Sequence, residues 1–441
     1  MLKNRLSRFL NDSHPAKIVA IGYLLYILMG WVVLNLPFMS DKGISALDHL
    51  FTATSALSTT GLTTVDVCSQ YSLIGQMVIL ILIQIGGIGY MTFGSFVILS
   101  RSSEISTKRA EIGKTVFTLP ESYRIDKFLR SVIGFTFIIE ALGAIALYVI
   151  FDSAGTATPL WQAIFHSVSA FCTAGFSLLS NSFVDFADNF WLNLVIGSLS
   201  YLGAIGFIVC VDYWRKIRGK VTEVTLTSKI IIWSTVWLSI IGTLFILAFE
   251  PSLSGLPAEG KIMRAFFQTM TAITTVGFNT IDTGALSNAT LLLVIMLMVI
   301  GASPSGTGGG LKSTTFSALF GIMKNALQGR HEVSFWGKKV PVVRLWSAVA
   351  SMTFYTSALI TGTYLLELTQ TSDFAGNLFE AASALGTVGL STGITGGLTA
   401  LGKIIIILMM YCGRLGPITF GMALFYHYPN REISSDSDLA V

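Results

Sequence analysis

One sequence pattern occurs four times in this chain of 441 residues. Each copy starts with Phe, continues through three residues to Ser or Thr followed by Ala, and ends on Thr, one residue and Gly. The copies are FTATSALSTTGLT (51–63), FHSVSAFCTAGFS (165–177), FQTMTAITTVGFN (267–279) and FEAASALGTVGLS (379–391). Their final glycines are 102 to 114 residues apart, far beyond the ~20–50 residues of solenoid repeats. The pattern therefore predicts one large unit used four times around a common centre.

The composition places these units in a membrane. Hydrophobic residues make up 52% of the chain and charged residues 12%, against about 25% charged in soluble domains. Eight apolar stretches are long enough to cross a bilayer. They lie near residues 16–38, 71–99, 128–151, 190–214, 230–249, 288–323, 345–368 and 398–425. We therefore predict an all-α polytopic membrane protein.

Each repeated segment lies between two of these spans. About a dozen residues precede each Thr-x-Gly, which suffices for a short helix but not for a crossing. The predicted fold is four parallel span–pore-helix–span repeats around a central pore, with pseudo-fourfold symmetry. The repeats correspond to residues 1–100, 101–215, 216–330 and 331–441.

The distribution of Lys and Arg predicts the orientation. With both termini in the cytoplasm, 23 of the 28 basic residues fall on the inner side. All four Thr-x-Gly segments then face outward, together with acidic residues such as Asp66 and Asp282, and an acidic outer face concentrates cations. The net charge of +4 therefore reports topology, and we predict no nucleic-acid partner.

The four Thr-x-Gly segments form the candidate binding site. Non-helical backbone is tolerated at membrane depth only where it is buried in protein or lines water, and glycine allows the backbone to turn its carbonyls toward an axis. Four such turns form a ring of oxygens that replaces the hydration shell of a cation. The predicted site comprises Thr59, Thr60, Gly61, Thr173, Ala174, Gly175, Thr275, Val276, Gly277, Thr387, Val388 and Gly389. The turns contain no carboxylate, which favours a monovalent cation.

The third unit departs from the pattern in its second span. It contains the insertion SPSGTGGGLKSTT (303–315), whose Pro304 and glycines do not continue a helix. We predict a break in this span and an intramembrane gate at 301–314, below the Thr-x-Gly segments. The predicted gate residues here are Gly306, Gly308, Gly309, Gly310 and Lys312. The segment does not match GxxxxGK[ST], so a nucleotide site is disfavoured.

The fourth unit departs from the pattern by a single charge. A recurrent glycine in the second spans is followed by Gly87, Ala204 and Ala302 in the first three units, and by Arg414 in the fourth. An intramembrane arginine marks a functional site by default. We predict that Arg414 lies beside the pore, acts as an electrostatic barrier and braces the gate. The alternative is a buried pair with Glu140.

These features together resemble the Trk/Ktr/HKT superfamily of cation transporters, in particular the membrane subunits of bacterial Ktr systems. The resemblance implies K⁺ at Gly61, Gly175, Gly277 and Gly389, and transport through a selectivity filter. Family members with Ser at the first of these positions favour Na⁺, so glycine favours K⁺. The resemblance also implies a bacterial plasma membrane, a homodimer and a cytoplasmic ring of nucleotide-binding regulatory subunits. No cofactor is expected in this chain itself.

Two other classes of membrane protein compete with this interpretation. A Na⁺-coupled secondary transporter binds its substrate at broken helices, but it would need breaks in symmetry-related units, and the sequence predicts one only in the third. A membrane enzyme would need clustered ligands or acid–base groups. The five histidines and four cysteines are scattered, so we predict that the chain is not an enzyme.

Overall fold

The structure, a computed structural model, describes residues 14–41, 43–89, 125–330 and 332–425, with 125–129 as backbone only. The helices are α1 Pro15–Leu34, α2 Ala46–Ser58, α3 Val67–Gln70, α4 Leu73–Ile88, α5 Ile125–Ser153, α6 Pro159–Phe171, α7 Phe190–Ile205, α8 Phe207–Ile217, α9 Leu226–Phe249, α10 Ala258–Thr274, α11 Asn288–Ile300, α12 Ser313–Leu327, α13 Val342–Thr369, α14 Phe374–Gly386, α15 Ala400–Leu415 and α16 Pro417–Phe425. Four 3₁₀ turns (Val184–Phe186, Pro251–Leu253, Thr283–Ala285 and Thr395–Gly397) and one antiparallel hairpin, β1 Ser334–Phe335 with β2 Lys338–Lys339, complete the described part. The protein is an all-helical membrane protein apart from this hairpin.

The spans differ in how they cross. By length and composition, α1, α9 and residues 130–153 of α5 can each cross a membrane as straight helices. Two further pairs of helices are long and apolar enough only when taken together, and each pair is bent: α7 with α8 at 93° and α15 with α16 at 102°. The apolar helices α4 and α11 are shorter, and α13 has 28 residues. The predicted continuation of the second stretch to residue 99 lies outside the described residues, as does most of the basic segment 101–130.

The bends correct the expectation that only the third unit interrupts its second span. Gly206 and Gly416 lie at the bends with φ of +94° and +82°, values that residues with a side chain rarely adopt. The loop of the third unit packs against the first bend: the N–H of Phe207 donates to the carbonyl of Ser305 over 3.2 Å. In the third unit α11 ends at Ile300 and α12 starts at Ser313, so the helix is interrupted there as the glycine-rich insertion predicts.

The short helices α2, α6, α10 and α14 precede the four Thr-x-Gly segments and lie in the core. The phenylalanines that begin the repeated pattern, Phe51, Phe165, Phe267 and Phe379, are fully buried. Three recurrent glycines in the second spans allow these longer helices to pack closely against the short helices. A Cβ added at Gly86, Gly203 or Gly413 would lie 1.9–2.1 Å from a backbone oxygen near the end of a short helix. Any larger residue would push the second span away from the site.

Candidate functional site: a ring of four turns above a glycine-rich loop

The four Thr-x-Gly segments, called the filter turns below, have the same backbone. Each short helix ends near a threonine in the left-handed region: Thr59, Thr173, Thr275 and Thr387 have φ of 50–57°. The residue that follows donates its N–H to the carbonyl five residues earlier, over 2.8–3.1 Å in all four units. The glycine then takes a φ between +66° and +93°. The shared sequence pattern thus encodes one helix-terminating turn, repeated four times.

The filter turns contact each other in a closed ring. A Cβ added at Gly61 would lie 2.4 Å from the carbonyl oxygen of Ala174, in the second turn. The same relation joins the second turn to the third, the third to the fourth, and Gly389 to the carbonyl of Thr60 in the first, at 2.1–2.3 Å. The structure therefore brings all twelve sequence-predicted residues together. It leaves room only for glycine at the third position of each turn, because the obstructing atom is backbone.

A polar cavity of about 630 Å³, called the vestibule below, opens on one side of this ring. The four ring glycines belong to its lining, together with the carboxylate residues Asp66 and Asp282. Within the described part of the chain, no group of three or more His, Cys, Asp or Glu residues could hold a metal ion. The ring itself contributes backbone carbonyl oxygens, and the cavity lining adds hydroxyl groups and the two carboxylates.

The glycine-rich loop, residues 301–312, lies against the opposite side of the ring. Thr307 is fully buried and central to the contact. Its carbonyl accepts from the hydroxyl of Thr59 over 3.2 Å, and its own hydroxyl is 3.0 Å from that of Thr173. Thr307 was not among the predicted gate residues. Its signal in the sequence is that it is the only polar side chain within GTGGG.

The other two filter turns contact the glycines of the loop. The N–H of Gly309 donates to the hydroxyl of Thr387 over 2.9 Å. A Cβ added at Gly308 would lie 2.2 Å from the hydroxyl oxygen of Thr275. The loop thus touches the threonine of every filter turn, which places it directly beneath the ring. Glycines are required because the threonine hydroxyls occupy the space of a side chain.

Lys312 folds the loop back on itself. Its ammonium donates to the carbonyls of Gly308 and Gly309 over 2.8 and 3.3 Å. Backbone bonds also join the loop to its neighbours: Thr307 donates to Gly203 and Gly310 donates to Gly413, over 3.1 and 3.2 Å. The loop is therefore held by the second spans of units two and four as well as by the filter turns.

Arg414 braces the same loop. Its guanidinium donates to the hydroxyl of Thr59 over 2.9 Å and to the carbonyls of Thr307 and Gly86. Among the described residues, no ion pair joins Arg414 to Glu140. The Glu140 carboxylate instead accepts from the Gln84 amide over 3.0 Å and from the Cys172 thiol over 3.6 Å. The alternative pairing is therefore not found, and Cys172 acquires a role as the neighbour of Glu140.

A second cavity, of about 490 Å³, lies on the far side of the loop. It is lined by loop residues including Pro304, Leu311 and Lys312, by Arg344 of α13, and by the start of α16. The ring and the loop consequently separate two spaces, the vestibule on one side and this second cavity, called the inner cavity below, on the other.

An ion pair joins the edges of two units on the vestibule side. The ammonium of Lys403 lies 2.6 Å from Asp48 Oδ1, and the hydroxyls of Thr64 and Ser45 also donate to this carboxylate, each over 2.6 Å. Partial burial raises the pKa of Asp48, but these hydrogen bonds and the lysine charge outweigh it and lower the pKa below its usual value. The pair connects the first and fourth units, where the ring closes.

Residues 31–434 match the TrkH family, described as a cation transport protein. The chain is 34% identical to the Ktr system potassium uptake protein B of Bacillus subtilis, covering 92% of both proteins. It is also 34% identical to the potassium/sodium uptake protein NtpJ of Enterococcus hirae, covering 98% of this chain and 99% of that protein. The crystal structure of the potassium transporter TrkH from Vibrio parahaemolyticus has the same fold, with a TM-score of 0.71 at 22% identity over 92% of this chain and 85% of that one. The chain belongs to the TrkH cation transport protein family.

Proposed function

We propose that this protein takes up K⁺ across a bacterial plasma membrane through the ring of filter turns. The observation that carries the proposal is the closed ring of four identical turns with the glycine-rich loop beneath it. The names of the relatives from Bacillus subtilis and Enterococcus hirae support K⁺ as the ion, and the second adds Na⁺ as a possible companion. In this proposal four parallel repeats surround one pore, both termini lie in the cytoplasm and the vestibule faces outward.

The filter turns supply the coordination chemistry. The carbonyls of Thr60, Ala174, Val276 and Val388 each lie beside the glycine of an adjoining turn, so they converge on the ring. Such oxygens replace the hydration shell of a monovalent ion. Each turn has a single glycine, whereas K⁺ channels have the longer TVGYG. A shorter run of carbonyl sites predicts weaker discrimination between K⁺ and Na⁺ than in those channels.

The glycine-rich loop, Lys312 and Arg414 form the gate in this proposal. The loop touches all four filter turns, and two positive charges stand beside it. A buried cation repels K⁺ strongly where little water screens it. Passage then requires that the loop move away from the threonines and that Arg414 release at least one of its three acceptors.

Vesicles containing the purified protein test this function. We expect K⁺ influx to follow an imposed K⁺ gradient and to exceed Na⁺ influx under matched gradients. The second candidate is Na⁺-coupled uptake, which requires broken helices in symmetry-related units. The structure supports it better than the sequence alone, because the second spans of units two and four are bent and that of unit three is broken. Under that mechanism K⁺ would accumulate only with an inward Na⁺ gradient. No K⁺ movement under any gradient would reject both.

We also propose that the protein works as a homodimer on a cytoplasmic ring of nucleotide-binding subunits, as the resemblance of its sequence to the Ktr membrane subunits implies. On the side of the inner cavity, the β1–β2 hairpin carries exposed Trp336 and Lys339. Aromatic and cationic side chains of this kind suit a protein interface. A regulatory subunit that binds detergent-purified protein only when the hairpin is intact would support this assembly, and unaltered binding after its removal would contradict it.

A further inference from the structure

A second repeated feature lies behind the filter turns. The residue directly after the conserved Phe of each short helix is polar: Thr52, His166, Gln268 and Glu380. All four side chains are fully buried, although polar groups are costly to bury without partners. The first polar residue beyond the ring glycine lies eleven positions after this buried polar residue in every unit: Thr63, Ser177, Asn279 and Ser391.

In unit four these two positions are joined by hydrogen bonds. Ser391 donates its hydroxyl to the Glu380 carboxylate over 2.8 Å. Thr395 donates to the other carboxylate oxygen and, over 2.9 Å, is bonded to Ser391. Ser391 in turn accepts the N–H of Gly393 over 3.0 Å. The chain that leaves Gly389 is therefore fastened to its own short helix through a buried carboxylate.

In unit two a histidine occupies the same position. His166 Nδ1 lies 2.8 Å from the carbonyl of Gln162, so it carries the proton and donates. His166 Nε2 then accepts from the Ser177 hydroxyl over 3.0 Å and from the N–H of Leu178 over 3.3 Å. The histidine thus fastens the segment that follows Gly175, as the glutamate does in unit four.

Units one and three do not join these two positions in the described part of the chain, although in unit one the next residue, Thr64, donates to Asp48 at the start of the short helix over 2.6 Å. No hydrogen bond joins Thr52 to Thr63 there, or Gln268 to Asn279. Both polar atoms of the Gln268 side chain lack a hydrogen-bond partner, and the Asn279 amide donates to Ile281 instead, over 3.0 Å. Because the ring contacts run from unit one through to four and back, the two fastened units face each other across it.

We propose that His166 and Glu380 are positioning residues for ion selectivity, acting through Ser177 and Ser391 on two opposite sides of the ring. This inference rests on the proposed function. Ser177 and Ser391 each lie two residues beyond a ring glycine, so a fixed serine limits how far the glycine's carbonyl can rotate. Na⁺ is smaller than K⁺ and needs a tighter shell of oxygens. Releasing the fastening lets the ring contract, and discrimination against Na⁺ falls.

The test compares variants in vesicles by uptake of K⁺ in competition with Na⁺, together with thermal stability in detergent. We expect Glu380→Ala and Ser391→Ala each to lower the K⁺/Na⁺ uptake ratio at least about fivefold. Glu380→Gln keeps one acceptor oxygen of the same reach and should retain most of the ratio. The control is Glu367→Ala. Glu367 lies on α13 and accepts over 2.7 Å from Asn377, which is on the same short helix as Glu380 but away from the turn.

The second arm replaces a histidine. His166→Ala is expected to lower the ratio, whereas His49→Ala, which removes a buried histidine bonded to Tyr71, should leave it unchanged. An unchanged ratio in folded Glu380→Ala and Ser391→Ala would overturn the inference, and so would an equal fall in the Glu367 control. If Glu380→Ala does not fold, Ser391→Ala decides alone. Absent K⁺ uptake by the unsubstituted protein would instead overturn the proposed function.

Discussion

The two sides of the site obey different rules. On the vestibule side the four filter turns share their backbone hydrogen bond, their left-handed threonine and their positive-φ glycine. On the other side the described second spans differ after the recurrent glycine: α7 and α15 lead into bends, α11 leads into the glycine-rich loop, and α15 carries Arg414. Under the proposed function, repetition is kept where oxygens converge on the ion, and it is abandoned where the gate controls passage.

The ring explains why repetition is strict on the vestibule side. Each ring glycine fits against a carbonyl of the next unit, so a change in one turn displaces its neighbour and the ring fails to close. The inner side has no such closure. There one loop must reach the threonines of all four units, which only an asymmetric element lying across the axis can do. If this comparison holds, substitutions in the ring should change which ion passes, whereas those in the loop region should change how much passes.

The largest effect is expected at Gly61. In Gly61→Ser the new Cβ would meet the carbonyl oxygen of Ala174 at 2.4 Å, at a φ of +93°. We expect the K⁺/Na⁺ uptake ratio to fall by about tenfold or more, which corresponds to about 1.4 kcal/mol. The control is Gly255→Ser: Gly255 has a φ of +88° but has no atom within 4 Å of its Cβ position, so it carries the backbone strain without the clash. Equal losses in both variants would mean that closure of the ring is not what sets selectivity.

An effect on rate rather than selectivity is expected at Arg414. Arg414→Ala removes a buried charge and three hydrogen bonds to Thr59, Thr307 and Gly86, so the loop loses its brace. We expect K⁺ flux to rise about fivefold, with little change in the K⁺/Na⁺ ratio. Arg414→Lys should be intermediate, because an ammonium does not reproduce the planar fork that reaches three acceptors.

The control for this variant is Arg264→Ala. Arg264 forms a bidentate pair with Asp188 at 2.7 and 3.0 Å, away from the loop. A fall in flux for folded Arg414→Ala would show that the arginine supports conduction instead of opposing it. A change in the K⁺/Na⁺ ratio without a change in flux would contradict the assignment of selectivity to the ring and of rate to the loop.

The sequence predicted the parts of this site that repeat and the parts whose residues do not continue a helix. The filter turns were found because four copies share Thr-x-Gly, and the loop because Pro304 and its glycines do not continue a helix. The bend at Gly416 also had a signal, since Pro417 follows it. The bend at Gly206 had a weaker signal: Gly89, Gly206 and Gly416 each follow the recurrent glycine by three residues, but a glycine in an apolar helix costs only about 1 kcal/mol, and the contact of the bend with Ser305 is distant in sequence.

Long-range contacts account for the rest. Arg414 was recognisable as functional by its charge, but a sequence does not show whether its partner is Glu140 or the loop. The fastening of Ser391 by Glu380 was equally hidden, because both residues read as ordinary members of a polar pattern. Their significance comes from burial and from an offset of eleven residues that spans a helix end and a turn.

The smallest effect is expected at Asp48, which supports the ring from its edge. Its pKa is lowered in the folded protein, so the ionised carboxylate adds stability at pH values above the unfolded pKa of about 3.9. That stability disappears as the pH falls through the folded value. Because half-buried ion pairs contribute about 1 kcal/mol, Asp48→Asn should lower the Tm in detergent by about 1–2 °C at pH 7.

The same substitution tests whether the Asp48–Lys403 pair affects only the stability of the protein or also its ion selectivity. Its Tm deficit should shrink toward zero in scans at pH values below about 4, and Lys403→Met should produce a similar deficit at pH 7, since it removes the other half of the pair. The K⁺/Na⁺ uptake ratio should stay unchanged in both variants, because Asp48 lies at the start of its short helix and holds Thr64, one residue further from the ring glycine than Ser177 and Ser391 are. A deficit independent of pH would exclude the ion pair as its source. An altered ion ratio would mean that the join between units one and four reaches the ring, so that edge support and selectivity are not separate properties.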